Sequence, residues 1–66
     1  MEDRYIKYIL SLDSGLYSAV AGDLPATVMR DKGNGFTVTT NPGRKEWQTS
    51  HYNEAGELQY TETEIE

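Results

Sequence analysis

Runs of turn-forming residues interrupt this chain at close, regular intervals: residues 13–15 (DSG), 22–25 (GDLP), 32–35 (KGNG), 41–44 (NPGR) and 53–57 (NEAGE). Each acts by its own chemistry. Glycine supplies positive φ, proline fixes φ and removes a donor, and Asp, Asn and Ser side chains bond the neighbouring backbone. The stretches left between them are shorter than the roughly 12–15 residues an isolated helix needs. They suit strands, which run to about 5–6 residues. Turns spaced every eight to twelve residues predict consecutive hairpins, an antiparallel meander.

Within the segments the apolar pattern repeats every second residue, the mark of a strand with one wet and one dry face. In residues 5–12, Ile6, Tyr8, Leu10 and Leu12 fall on one side and Tyr5, Lys7, Ile9 and Ser11 on the other. Further strands are expected over 16–21, 26–31, 36–40, 45–52 and 58–65. KGNG between the third and fourth is the clearest hairpin signal. Pro42 followed by Gly43 predicts a type II turn with Gly43 at positive φ, and Gly56 is expected in the left-handed region. Residues 14–22 also carry a helical option, with Ser14 as cap and Gly22 as stop. The expected class is all-β, a small antiparallel meander of five to six strands forming a curled sheet or an SH3-like small barrel. It becomes α+β if a short helix forms near 14–22.

A chain of 66 residues makes one domain, spanning 1–66, and buries only about 60% of its unfolded surface. Its hydrophobic fraction of 36% is low beside the roughly 45–50% of ordinary domains. With no cysteine, neither a disulfide nor a thiolate metal site can staple the fold. Stability must come from aromatic packing or from a second copy, so a homo-oligomer is one expectation. Five Tyr, one Trp and one Phe argue against disorder. The sequence has no apolar run of about 18 residues to span a membrane and no secretory pattern at its start. Together with the lack of cysteine this gives a cytoplasmic expectation.

The net charge of −5 is unevenly distributed. Between residues 30 and 45 four cations (Arg30, Lys32, Arg44, Lys45) face one anion (Asp31), a local balance of +3; from 46 to 66 there are six anions and no cation. Placing both cationic turns at one end of the sheet would create an anion site, so Arg30, Lys32, Arg44 and Lys45 are the candidate anion-binding residues. KGNG does not match a phosphate-cradling loop, and a chain acidic overall disfavours direct nucleic-acid binding. In the last strand Tyr60, Glu62, Glu64 and Glu66 share a side. Charge there protects a sheet edge from other strands. It also makes a surface that steers toward a basic partner, to the point of standing in for a phosphate backbone. The candidate partner-binding residues are Trp47, Tyr52, Glu57, Tyr60, Glu62 and Glu64, because Tyr and Trp are enriched where binding energy concentrates.

Catalytic chemistry finds little purchase. Ser50 and the sole histidine, His51, are neighbours in a strand and point to opposite faces. One histidine without cysteine does not close a zinc site, and the carboxylates lack calcium-loop spacing. No cofactor, metal or enzymatic activity is expected. The reading is a non-catalytic acidic protein that binds and modulates, most simply inhibits, a larger protein with a basic surface, of the size typical of phage or mobile-element inhibitors. The alternatives are a self-assembling structural subunit and a binder of small anions such as nucleotides.

Overall fold

The computed structural model of the protein describes residues 3–66; Met1 and Glu2, which begin the expected 1–66 unit, lie outside the described residues. In chain order come helix α1 (Asp3–Leu10) and strands β1 (Gly15–Ala21), β2 (Leu24–Asp31), β3 (Gly35–Gly43), β4 (Glu46–Tyr52) and β5 (Leu58–Ile65). The strands form one sheet in the order β1-β2-β3-β4-β5, each neighbouring pair antiparallel. This is the expected meander, with five strands. Its edges β1 and β5 do not pair, so the sheet stays open and is not a barrel. No helix among the described residues is long and apolar enough to cross a membrane.

One local expectation is corrected: residues 5–12, read as a strand, lie mostly in α1. The strand expected over 16–21 forms as β1, so the helical option over 14–22 is not taken up. The N-terminal segment satisfies both periods at once. Its alternation suits a strand, but Ile6, Ile9 and Leu10 also recur at helical spacing. The sheet decides between them. Ala26 and Val28 from β2 and Phe36 and Val38 from β3 form an apolar patch, and α1 covers it with Ile9, flanked by Ile6 and Leu10. Val28 is 1% and Ile9 3% exposed. Burying side chains of this kind stabilises by roughly 1.5–3 kcal/mol each, far more than local preference in an eight-residue helix.

The pairing register sorts side chains cleanly. Tyr17, Val28, Val38 and Ser50 follow one another across β1 to β4 on the helix-covered side. Leu16, Met29, Thr37, His51 and Tyr60 form the equivalent row on the uncovered side. Phe36 stacks on Tyr52 at 4.7 Å between ring centroids and extends the core toward β4.

The turns mostly follow their chemistry. The Ala21–Leu24 pair leaves Gly22 and Asp23 as a two-residue turn. Gly22 has φ 65° and no non-glycine residue among those described has positive φ, the type II′ arrangement that matches strand twist. Between β2 and β3 the Asn34 amide donates to the Asp31 carbonyl at 2.8 Å. Gly35, at φ 100°, lies where a Cβ would overlap the Tyr52 carbonyl oxygen of the adjacent strand. Gly56 is left-handed as expected, at φ 83°. The NPGR expectation is corrected: β3 continues through Gly43, which lacks positive φ, and Arg44 and Lys45 make the turn. A register shift between Thr40 and Gly43 takes up the difference. Proline is tolerated at such an irregularity because no ladder donor is required of it there.

Candidate functional site

Arg30 occupies a position on the helix-covered side that alternation assigns to the core, and it is 2% exposed. A buried guanidinium requires partners, and the fold supplies them from four segments. Arg30 donates to both carboxylate oxygens of Glu54 at 2.8 Å, to the Gly35 carbonyl at 2.9 Å, to the Asp31 carbonyl at 3.2 Å and to the Leu10 carbonyl at 3.0 Å. The last of these caps the C-terminal end of α1 with a positive charge, where it is favoured. Glu54 in turn accepts the backbone amides of Gly33 and Gly35 at 3.0 Å. The Arg30 hydrogen bond, reinforced by the two amides, holds the Glu54 carboxyl down at about 2, against an ordinary 4.5. The same partner raises the Arg30 pKa despite burial. This knot ties α1, β2, the β2–β3 turn and the β4–β5 loop together.

The cationic quartet expected to bind anions is therefore dispersed. The Arg30 guanidinium faces inward, committed to Glu54. Lys32 lies in the β2–β3 turn, with its ammonium 3.5 Å from Asp13. Arg44 and Lys45 form the turn at the opposite end of β3. In a meander, successive turns alternate ends. The nine residues of β3 separate these two by roughly 27 Å. The expected common end does not form.

The acidic set fares differently. On the uncovered side Trp47 lies opposite Glu64, Thr49 opposite Glu62 and His51 opposite Tyr60. Trp47 and Tyr60 are 44% and 54% exposed. A shallow hollow of about 230 Å³ is lined by Trp47, Thr49, Glu62, Thr63 and Glu64. His51 stacks on Tyr60 at 4.2 Å and brings its Nε2 to 2.7 Å from Glu62. That nitrogen makes no aligned hydrogen bond, so the contact is a close approach of charge when the ring is protonated. Four of the six candidate residues, Trp47, Tyr60, Glu62 and Glu64, thus come together on one face.

The other two do not. Tyr52 turns to the covered side and stacks on Phe36. Glu57 belongs to the β4–β5 loop, where it accepts from the Asn53 amide side chain at 3.1 Å and donates its backbone amide to the Asn53 side chain at 2.9 Å. Alternation separates Tyr52 from Trp47 on one strand. A register shift between His51 and Tyr52 then moves the start of β5 out of phase. Thr49 and His51 also belong to this face, though neither was among the candidate binding residues. Their signal was present in the period of residues 45–52, but only the register shows Tyr60 and Glu62 across from them.

Ser50 faces the covered side, its hydroxyl 3.4 Å from that of Thr61, while His51 faces the open side; they share no site. Among the described residues, no group of three or more His, Asp or Glu side chains converges to hold a metal ion. No family model, curated protein or solved structure matches this chain.

Proposed function

We propose that the chain is a non-catalytic binding protein that sets the open face of β4 and β5 against a basic surface of a larger protein and modulates it, occluding that surface as an inhibitor does. The observation that carries this reading is the register that puts Trp47 and Tyr60 on one uncovered face with Glu62 and Glu64. Half-exposed aromatic rings supply apolar contact area at low conformational cost. The two carboxylates give direction and speed to the encounter with a cationic patch. Backing by α1 and the Arg30–Glu54 knot gives this face a fixed geometry, so little ordering is required on binding. The lack of cysteine suits action in a reducing cytoplasm.

Capture from host lysate tests this directly, with wild type set beside Trp47→Ala and the double variant Glu62→Lys/Glu64→Lys. A specific protein should be retained by wild type at low salt. It should be lost on the double variant, and released from wild type as ionic strength approaches about 1 M, where screening acts within roughly 3 Å. Retention that is indifferent to both charge reversal and salt places the contact elsewhere.

A further inference from the structure

The two edges of the sheet are unlike. An exposed strand edge presents unpaired backbone donors and acceptors that other strands can take up, and proteins commonly blunt it with charge. β5 is blunted in this way by Glu62 and Glu64, whose carboxylates would repel a second β5 laid beside them. β1, GLYSAVA, carries no charged side chain, no proline and no register irregularity against β2. Its outward residues Leu16 and Val20 are 68% and 56% exposed. Beside it, α1 and β1 leave an apolar hollow of about 190 Å³ whose lining includes Tyr5, Tyr8, Leu12, Tyr17 and Ala19.

We infer that β1 is a self-association edge, pairing antiparallel with β1 of a second copy about a two-fold axis at Ser18 and joining two sheets into one of ten strands. The seven residues from Gly15 to Ala21 are self-complementary about their centre. Ser18 meets Ser18 and Leu16 meets Val20 on the open side, while Tyr17 meets Ala19 on the helix side. An isologous contact of this kind closes at two copies. Charge favours a second β1 over β5 as the occupant. The acidic strand β5 lies four strand spacings from β1, roughly 19 Å at about 4.8 Å each, beyond the Debye length of about 8 Å at physiological salt. Repulsion between the two β5 strands is therefore largely screened at this edge. The nearer like charges are Asp13 and Asp23, which this register brings toward each other at either end, and Lys32, 3.5 Å from Asp13, offsets part of their repulsion. Pairing β1 with β5 of a neighbour would instead set Glu62 and Glu64 beside Leu16 and Val20, partly desolvating carboxylates with no opposite charge supplied. This inference is independent of the proposed contact on β4 and β5, which the two-fold leaves at the outer ends.

The test is molar mass in solution by light scattering and sedimentation, from about 10 μM to 1 mM, the range in which a single strand-pair interface at the small end of interface sizes associates. Wild type should rise from 7.5 kDa toward twice that value and stop. Ser18→Lys, which sets two ammonium groups face to face at the axis, should stay monomeric, and Glu64→Lys should dimerise like wild type. Because the chain has no cysteine, Ser18→Cys offers a second readout that tolerates weak association. Cα separations of about 4.5–5.5 Å across paired strands suit a disulfide, so mild oxidation should cross-link Ser18→Cys at least tenfold faster than Thr63→Cys on β5. A monomer throughout with equal cross-linking rates, open-ended growth past two copies, or dimerisation abolished by Glu64→Lys but not by Ser18→Lys would each overturn the assignment.

Discussion

Arg30 is the residue whose environment departs furthest from its residue type. Charge counting places it with Lys32, Arg44 and Lys45, while alternation places it with Val28 on the inward face; the structure follows alternation. What alternation cannot supply is the partner. Glu54 is 24 residues away, in a loop that reads only as a turn. Two outcomes follow from the knot. Arg30→Met keeps volume but leaves the Leu10 and Gly35 carbonyls without their donor, and should destabilise by on the order of 3 kcal/mol in denaturant unfolding. The second concerns pH. The folded carboxyl of Glu54 titrates at about 2 rather than 4.5, so the folded state holds its proton less tightly than the unfolded chain. The stabilisation is complete above about 4.5 and is lost as pH falls toward 2. Unfolding midpoints of wild type and Glu54→Gln measured across that window should differ above it and converge at its acid end. A constant gap would mean that the charge of Glu54 is not what the knot uses.

At the scale of elements, legibility tracked turn chemistry more than apolar pattern. β1 to β5 were readable because Gly22, the Gly33–Gly35 turn and Gly56 force reversals at fixed points. The β3–β4 turn shifted by two positions because a local irregularity near Pro42 competes with the type II preference. Helix α1 was not legible. Ile6, Ile9 and Leu10 mark a helical stripe, yet Ile6, Tyr8, Leu10 and Leu12 mark an equally regular strand. Only the need to cover Val28, Phe36 and Val38 separates the two readings, and that need belongs to the assembled sheet. An eight-residue helix does not persist by itself. Ile9→Ala should therefore act on the whole fold, costing about 3 kcal/mol for the lost side chain and the cavity it leaves. Since proteins of this length are stable by only about 3–10 kcal/mol, loss of α1 signal in circular dichroism should coincide with loss of the sheet rather than precede it. A separate early helix transition would show that α1 is ornamental to the core.

For the molecule as a whole, the consequential feature is asymmetry between the faces of one sheet. One face is closed by α1 and pinned by Arg30 and Glu54. The other leaves Leu16, Met29, Trp47 and Tyr60 substantially exposed, with Glu62 and Glu64 on β5 at one margin. Half of the candidate surface was visible in the alternation of residues 58–65, which puts Tyr60, Glu62 and Glu64 together. Its union with Trp47 came from pairing register, which a single strand's sequence does not encode. The most direct measurement is an amide and indole chemical-shift titration of the labelled protein with a lysine-rich peptide at low salt. The largest shifts should fall on Trp47, Thr49 and residues 60–64, and collapse when Glu62 and Glu64 are both changed to lysine. Shifts distributed equally over Glu46, Glu57, Asp13 and Asp23, or centred on the helix-covered face, would contradict the account.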